Sequence, residues 1–263
     1  MPSRTQIVCT IGPASQSVAT LTQLIEAGMD VARLNFSHGT HEMHATFISH
    51  VRAAAKSADK HIPIIQDLSG PRVQTGATHH LDATATEVIT EKDLMDLAFG
   101  LTNEVDYICQ SFVGSANDVL QLKKEIAQRG GTAKVMAKVE RKEALDAIDE
   151  IAEVADAVML GRGDLGLSIP LEQVPFAEAM VVRACKKHHK PVIVATEMLK
   201  SMVENPTPTR AEVTDIAYAI MVGADAVMLS EESAIGKYPV EAVRYMERVC
   251  LEAEKYERKV NKL

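Results

Sequence analysis

Short apolar runs alternate with longer amphipathic stretches from one end of this chain to the other. The short runs are typical of buried strands, and the stretches between them have the spacing of helices that bury one face. The predicted strands cover residues 6–11, 30–36, 62–67, 106–112, 133–140, 155–160, 191–196 and 225–229. The predicted helices cover residues 17–26, 41–56, 90–101, 117–129, 142–154, 175–189, 209–222 and 240–258.

Strand–helix units in series specify a parallel sheet, because each helix carries the chain back to the start of the next strand. Eight such units predict an α/β fold of the (β/α)8 TIM-barrel type with parallel strands, in a single domain over residues 1–263. A doubly wound open sheet is the alternative. It would need a switch-point crevice, whereas polar residues follow nearly every predicted strand here. The weakly periodic stretch 77–90 is predicted to be a connection.

Two short runs contain residues suited to chemistry: VMAKVE at 135–140 and MLGRGDLGL at 159–167. In the first run, alternation places Lys138 and Glu140 on one face of a strand. In the second, glycines let the backbone approach an anion, and Asp164 adds a carboxylate oxygen. A carboxylate pair for a divalent metal beside a lysine suits phosphoryl or enolate chemistry. The simpler alternative is a salt-bridged strand end followed by an ordinary turn.

Polar residues stand at the C-terminal ends of most predicted strands. In a barrel these ends open at one mouth, where such enzymes have their active sites. The residues are Arg33, Asn35, Ser37, Asp67, Lys138, Glu140, Gly163, Asp164, Thr196, Ser230 and Glu232. Any one of them is an ordinary polar strand end, but so many at a single face favour a site.

Composition narrows the possible functions of the 263 residues. A net charge of −8 argues against nucleic acid or an anionic membrane as a partner. No apolar run is long enough to span a membrane, and the N-terminus resembles a strand rather than a signal peptide. The four cysteines are scattered without C-x-x-C spacing, which predicts reduced thiols and a cytoplasmic location.

Seven segments, in the same order, give the chain a strong resemblance to the catalytic barrel of pyruvate kinases. They are CTIGPAS from residue 9, ARLNFSHGTHEMH from 32, DLSGPRVQTG from 67, MAKVE from 136, MLGRGDLG from 159, VIVATEMLKSM from 192 and NPTPTRAEVTDIAYAIMVGADAVMLSEESAIGKYPVEAV from 205. Together they cover nearly the whole chain, so the match is far more specific than a single motif. The resemblance implies a phosphotransferase that acts on phosphoenolpyruvate or pyruvate with ADP or ATP through a magnesium-stabilised enolate.

The resemblance also implies roles around a metal ion. Glu140 and Asp164 would hold Mg²⁺ or Mn²⁺. Lys138 would neutralise charge on the phosphoryl group and on the developing enolate. Arg33 would bind the phosphate of phosphoenolpyruvate.

A second set of implied roles concerns the rest of the substrate. Its carboxylate would meet the backbone N–H groups of Gly163 and Asp164 and the hydroxyl of Thr196. Ser230 and Glu232 would belong to the polar network that, with Thr196, delivers a proton to the enolpyruvate carbon.

A monovalent-cation pocket is implied at Asn35, Ser37 and Asp67. In this family a glutamate directly after Gly-Pro accompanies potassium dependence, and a lysine there accompanies independence. This chain has Arg72, a permanent cation. Two unit charges a few Å apart repel by roughly 4 kcal/mol at an effective dielectric of about 20. We therefore predict that Arg72 fills the pocket and that potassium is not required; the alternative is that Arg72 points to solvent or pairs with a carboxylate elsewhere.

The chain departs from the family pattern in several places. The family has a lid domain inserted after the third strand, where a short loop at 77–90 is expected here. The family's C-terminal domain is likewise expected to be absent, since the predicted elements end with the eighth helix. Gln74 stands where the motif has a nucleotide-contacting arginine, Glu231 at a usual glycine and Glu197 at a usual glutamine. The metal and enolpyruvate half of the site is thus retained, and the nucleotide and lid half is reduced.

Three functional hypotheses follow. The first is a minimal pyruvate kinase-like enzyme, and the second is a metal-dependent enzyme of 2-oxo acids, such as an oxaloacetate decarboxylase. The third, a non-catalytic metabolite-binding or scaffold protein, is disfavoured by the retained Lys138, Glu140 and Asp164. The partners would be small-molecule substrates rather than nucleic acid or membrane. The resemblance further implies a homo-oligomer, most simply a dimer, in which Arg210 steadies the loop after the seventh strand across the interface.

Overall fold

The structure, a computed structural model, describes residues 2–75, 78–82 and 87–260. Its strands are Gln6–Thr10 (β1), Val31–Asn35 (β2), Ile64–Asp67 (β3), Arg72–Thr75 (β4), Thr78–Leu81 (β5), Tyr107–Gln110 (β6), Lys134–Val139 (β7), Ala157–Gly161 (β8), Val192–Ala195 (β9) and Ala226–Leu229 (β10). Eight of them form a closed barrel in the order β1–β10–β9–β8–β7–β6–β3–β2, while β4 and β5 form an antiparallel hairpin. The predicted (β/α)8 TIM barrel with parallel strands is confirmed.

The α-helices lie between the barrel strands. They are Val18–Ala27 (α1), His41–Ser57 (α2), Glu91–Thr102 (α3), Ala116–Gln128 (α4), Lys142–Asp146 (α5), Ile148–Val154 (α6), Arg162–Ser168 (α7), Val174–Lys187 (α8), Arg210–Met221 (α9), Glu231–Ala234 (α10) and Pro239–Val260 (α11). Short 3-10 turns occupy Leu171–Gln173 and Lys200–Val203. Capping boxes explain where α3, α4 and α9 begin. In each, the side chain of the residue before the helix accepts the N–H of the third helical residue, whose own side chain accepts the N–H of that first residue. None of the described helices combines the length and apolar character needed to cross a membrane.

Two predicted helical or turn segments differ from the structure. The predicted helix 142–154 is divided into α5 and α6, because Ala147, with φ −107° and ψ 16°, leaves the helical conformation. The predicted glycine-rich turn after β8 is the short helix α7. Its Leu165 is fully buried, so tertiary packing offsets the low helix propensity of its glycines.

The predicted connection 77–90 contains a strand. β5 pairs with β4 from Arg72–Leu81 to Thr75–Thr78. Backbone hydrogen bonds make this hairpin, and they do not require the apolar alternation on which the prediction relied. Residues 77 and 83–86 of the stretch lie outside the described residues.

The chain divides into two compact units. The first comprises Met1–Leu34, Glu42–Ile64 and Ile193–Leu263, and the second comprises Asn35–His41 and Ile65–Val192. In the first unit, α1 and α9 pack against α11, and β1 pairs with β10. In the second unit, β6, β7 and β8 pair in series, and α6 packs against both α4 and α8. Each unit therefore has its own buried core.

Glu254 of α11 holds the segment that leads into β1. Glu254 as a whole residue is 2% exposed, and its carboxylate accepts hydrogen bonds from the backbone N–H groups of Arg4 (2.7 Å) and Thr5 (2.8 Å). We expect Glu254→Ala to lower the free energy of unfolding by about 2–4 kcal/mol, because it leaves buried donors unpaired. Glu252→Ala, on the exposed side of the same helix, should leave stability nearly unchanged. Chemical denaturation measures both, and equal stability of the two variants would contradict this role of Glu254.

Candidate active site

Asp67, Lys138 and Glu140 form a buried group in the second unit, here called the acid–lysine cluster. Asp67 ends β3, Lys138 lies near the end of β7, and Glu140 follows β7. Lys138 is only 5% exposed. Its ammonium donates a hydrogen bond to Asp67 Oδ1 at 2.8 Å and lies 3.4 Å from Glu140 Oε1. The register pairs Asp67 with Cys109 and Cys109 with Met136. Asp67 therefore shares a face with Lys138, two residues beyond Met136.

A strained backbone at the end of β6 supplies Glu140 with a hydrogen bond. Phe112 has a φ of 55°, which is uncommon outside glycine, and its N–H donates to Glu140 Oε2 at 3.0 Å. Gly70, with a φ of 66°, packs against Phe112. A Cβ atom at Gly70 would lie 3.0 Å from both Phe112 Cδ2 and Ser111 Cβ. Glycine therefore lets the chain after β3 pass close to Phe112.

Glu140 has a perturbed carboxyl group. Burial raises the pKa of Glu140 to about 7, and the neighbouring carboxylates of Asp164 and Asp67 also raise it. The Lys138 ammonium and the Phe112 N–H act in the opposite direction but do not cancel burial. The ionised form of Glu140 would therefore be favoured by additional positive charge nearby.

Helix α7 begins directly after β8 and carries Gly163 and Asp164 in its first turn. Arg162 anchors this helix, because its Nη1 donates to the buried Glu178 Oε2 of α8 at 3.2 Å. Sequence reasoning missed this pair. The available sign was a glutamate on the apolar face of α8, where a charge is unfavourable unless it is paired.

The loop after β2 is held by the first turn of α3. Lys92 Nζ donates to the carbonyl of Phe36 at 2.8 Å and lies 3.3 Å from Ser69 Oγ. Within the loop, the Ser37 N–H donates to Asn35 Oδ1 at 3.1 Å. Sequence reasoning also missed Lys92, which stands in an ordinary helix start and has no local feature that points to the loop.

Arg72 begins β4 and stacks on Phe112. Its guanidinium carbon lies 5.4 Å from the centroid of the Phe112 ring. Within the part of the chain that the structure describes, the Arg72 side chain makes no hydrogen bond or ion pair. The Lys138 ammonium contacts Asp67 there at 2.8 Å. The placement of Arg72 in a pocket with Asn35, Ser37 and Asp67 stays a prediction.

In the first unit, the buried Arg33 of β2 is oriented by β1. Its Nη1 donates to Thr10 Oγ1 at 2.9 Å, and that hydroxyl donates to the Leu229 carbonyl at 2.9 Å. This pairing fixes the position of the guanidinium beside β1, although Arg33 itself is the middle residue of β2.

Glu232, also in the first unit, joins two loops. Its buried carboxylate accepts the Leu199 N–H through Oε1 at 3.0 Å and the Ser230 N–H through Oε2 at 2.7 Å. The Ser230 hydroxyl oxygen is buried and has no hydrogen-bond partner among the described side chains and backbone. Ser230 and Glu232 are therefore brought together through the Ser230 backbone N–H, and the polar network implied for their side chains stays a prediction.

The loop after β9 is strained. Thr196 and Glu197 have φ values of 72° and 57°, and a left-handed β-branched residue costs of order 1–3 kcal/mol. The Thr196 hydroxyl donates to the adjacent Ala195 carbonyl at 2.5 Å. Glu231, which stands at the family's usual glycine, forms an ion pair with Lys200 of the same loop.

The carboxylates of the second unit fit a divalent metal. No group of three or more histidine, cysteine or acidic residues with metal-binding geometry occurs in residues 2–75, 78–82 and 87–260. However, Glu140 and Asp164 are hard oxygen donors close enough to interact electrostatically. A pair of carboxylates leaves most of the coordination shell to water and substrate, which is the arrangement that Mg²⁺ prefers.

We expect Asp164→Ala to weaken Mn²⁺ binding at least about tenfold, because metal affinity falls strongly when a ligand is removed. Wild-type affinity should also fall by about tenfold per pH unit below pH 7, since Glu140 must lose its proton to bind the ion. Electron paramagnetic resonance titration of free Mn²⁺ measures both effects. Asp146→Ala, at an exposed position, is the matched control, and unchanged affinity in Asp164→Ala would refute the assignment.

Known proteins give an independent view of this chain. The family model described as "Pyruvate kinase, barrel domain" matches residues 2–89 and 81–243. The pyruvate kinase of Geobacillus stearothermophilus is 38% identical over 97% of this chain and 57% of its own length. That of Dictyostelium discoideum is 35% identical over 95% of this chain and 66% of its own length. That of Agrobacterium vitis is 37% identical over 96% of this chain and 70% of its own length.

The length of the alignments is also informative. The chain spans between 57% and 70% of these relatives. The alignment with the Geobacillus protein has 337 positions, 74 more than the 263 residues of this chain, so at least 74 of the relative's residues have no counterpart here. The family match covers more than half of the chain, and the relatives exceed 30% identity. The chain therefore belongs to the pyruvate kinase family, through the barrel domain of that family.

Proposed function

We propose that this protein transfers a phosphoryl group from phosphoenolpyruvate to a nucleoside diphosphate such as ADP. The observation that carries the proposal is the buried Lys138 between Asp67 and Glu140, with Asp164 close by. Burying a lysine among carboxylates is costly unless the group binds something. A phosphoryl transfer that leaves an enolate uses such fixed charges, because negative charge shifts during the reaction.

The residues of the second unit would act on the reacting groups. Glu140 and Asp164 would hold Mg²⁺ or Mn²⁺, which when bound supplies a Lewis acid for the phosphoryl oxygens. Lys138 would donate hydrogen bonds to the transferring phosphoryl group and would offset the charge that develops on the enolate oxygen. Asp67 would keep the ammonium in place, so that little reorganisation is needed during the reaction.

Further roles follow from the family. Arg33 would bind the phosphate of phosphoenolpyruvate, and the N–H groups at Gly163 and Asp164 would bind its carboxylate together with Thr196. The left-handed backbone of Thr196 supports a functional role, since strain of this kind persists mainly where function requires it. The polar network of Ser230 and Glu232 would, with Thr196, deliver the proton to the enolpyruvate carbon.

We also propose that residues 1–263 act as one catalytic domain in which residues 77–90 replace a domain inserted in the relatives. Two observations support this. The two segments matched by the family model overlap at residues 81–89. The Geobacillus relative has at least 74 residues that align with no residue of this chain.

Turnover is proposed to be independent of potassium. The Lys138 ammonium already places a fixed positive charge 2.8 Å from Asp67. The proposed location is the cytoplasm, because all four cysteines are buried and free, as is usual in a reducing compartment. With a net charge of −8, nucleic acid and membrane surfaces are not proposed as partners.

A homodimer is expected in solution. Leu167, Leu171 and Phe176 are each at least 75% exposed, and they lie on adjacent segments of the second unit. Such an apolar patch is typical of an interaction surface. The resemblance adds Arg210, which would steady the loop after β9 across the interface.

Sedimentation equilibrium should give a dimer, and Phe176→Asp should weaken that dimer at least about tenfold. Met95→Asp, at an exposed apolar position on α3, is the control and should leave the dimer unchanged. A concentration-independent monomer would refute the dimer.

The function is tested by a coupled assay of ATP formation from phosphoenolpyruvate and ADP, run beside an oxaloacetate decarboxylation assay. Metal-dependent ATP formation that is lost in Glu140→Gln is the expected result. Metal-dependent decarboxylation without ATP formation would instead identify an enzyme of 2-oxo acids. Binding of phosphoenolpyruvate with neither reaction would identify a metabolite-binding protein.

A further inference from the structure

Arg72 is a partly buried cation without a counter-ion in the described part of the chain. Its Nε atom is buried and has no hydrogen-bond partner, and its guanidinium lies over the Phe112 ring at 5.4 Å. Contact with an aromatic face stabilises a cation only modestly. Withdrawing a charge from water without pairing it costs more than that. A ligand of opposite charge would complete this environment.

Arg72 is linked to the acid–lysine cluster by a short chain of contacts. Phe112, whose ring contacts the guanidinium, donates its backbone N–H to Glu140 Oε2 at 3.0 Å. Gly70 packs against the same ring, and its N–H donates to the buried Asp93 at 3.1 Å. Phe112 therefore contacts both the Arg72 guanidinium and Glu140, the proposed metal ligand.

The charges near Arg72 indicate what it binds. The site contains three carboxylates and one ammonium, from Asp67, Glu140, Asp164 and Lys138, so its net charge is −2. One divalent cation would offset this charge. Arg72 is then the surplus positive charge beside a neutral group, and this favours an anion. A guanidinium presents its N–H groups in a planar fork that matches two oxygens of a phosphoryl group.

We infer that Arg72 binds a phosphoryl group of the substrates. This inference rests on the proposed function, because it takes the ligand to be phosphoenolpyruvate or the nucleoside diphosphate. Both carry the same phosphoryl chemistry, so separate binding measurements must decide between them. Arg72 thereby contributes to the choice of phosphorylated ligands over simple carboxylates.

Isothermal titration of the Mg²⁺-loaded protein with phosphoenolpyruvate, ADP and oxalate tests the inference. Arg72→Gln should weaken binding of phosphoenolpyruvate or ADP about 10- to 100-fold, the usual effect of losing charge-assisted hydrogen bonds. Oxalate binding should change by less than about twofold. Arg72→Lys should recover only part of the affinity, because a point charge lacks the planar fork. Arg183→Gln, an exposed arginine on α8, is the matched control.

The outcomes separate the possible explanations. If Arg72→Gln loses affinity for phosphoenolpyruvate alone, Arg72 binds the phosphate of phosphoenolpyruvate. If it loses affinity for ADP alone, Arg72 binds a phosphate of the nucleotide. If the wild type binds both ligands and Arg72→Gln binds them equally well, the inference fails while the proposed function stands. If potassium restores the binding of phosphoenolpyruvate or ADP to Arg72→Gln, Arg72 takes the place of a monovalent cation and does not bind the phosphoryl group. In that case the inference fails as well. A wild type that binds neither ligand would refute the proposed function together with the inference. Thermal unfolding and Mn²⁺ affinity of each variant confirm that fold and metal site are retained.

Discussion

Lys138→Met is expected to lower turnover of phosphoenolpyruvate with ADP by about 10²–10³-fold, the usual effect of removing one fixed charge that stabilises a transition state. Divalent-metal binding should be retained or become tighter. The Lys138 ammonium lies 3.4 Å from Glu140 Oε1, so its removal increases the negative potential at the proposed metal ligands. The coupled assay measures turnover, and Mn²⁺ titration measures metal affinity.

Lys134→Met is the matched control for this variant. Lys134 stands at the other end of β7, exposed, with its ammonium 5.6 Å from the Tyr107 ring. Its replacement should leave both turnover and metal affinity near the wild-type values. Turnover of Lys138→Met within a few-fold of the wild type would contradict the proposed role. Simultaneous loss of Mn²⁺ binding would show that Lys138 maintains the cluster rather than serving the reaction.

The metal-free protein is expected to lose stability through Glu140 as the pH rises from about 4.5 to about 7. The pKa of this carboxyl is about 7 in the folded protein, against an ordinary value of 4.5, with burial as the main cause. Between those pH values the folded state binds the proton and the unfolded state does not, so protonation favours folding. The contribution is fully present below pH 4.5 and is lost by pH 7, a change of about 3 kcal/mol.

Comparison with Glu140→Gln isolates this effect. Other carboxyls act in the opposite direction. Burial raises the pKa of Glu212 and Glu254, but their hydrogen bonds together outweigh it and lower the pKa overall, so their contributions to stability are lost in acid. The difference in unfolding free energy between wild type and Glu140→Gln should therefore be followed from pH 5 to pH 8 by urea denaturation. It should shift in favour of the variant as the pH rises, and saturating Mg²⁺ at pH 8 should stabilise the wild type alone. A difference that does not vary with pH would contradict the burial of an ionisable Glu140.

The barrel strands could be predicted well from apolar runs, but their ends could not. Each of the eight predicted strands overlaps an observed one, and several extend too far at the C-terminal end. Phe112 and Thr196 illustrate the reason. Both belong to runs of strand-forming residues, yet their φ values are 55° and 72° and they have left the sheet. An apolar pattern reports burial, which continues after the hydrogen-bonded ladder has ended.

The candidate site could be predicted only in part. The period-two spacing of Lys138 and Glu140 placed both on one strand face, and the two side chains are 3.4 Å apart. Lys92 and Arg162 were missed, because they act on loops and helices that are distant in the sequence. Lys92 binds the Phe36 carbonyl 56 residues away, and no local pattern carries that information.

The sequence by itself determined the order of strands and helices, the barrel and the set of polar strand ends, because periodicity and chain connectivity are local properties. Only the tertiary structure decided which of these groups meet. It joined Lys138 to Asp67, 71 residues apart, and stacked Arg72 on Phe112. It also raised the pKa of Glu140 to about 7. Desolvation and Coulomb energies depend on distances and burial in three dimensions, so these properties emerge only when separate strands are packed side by side.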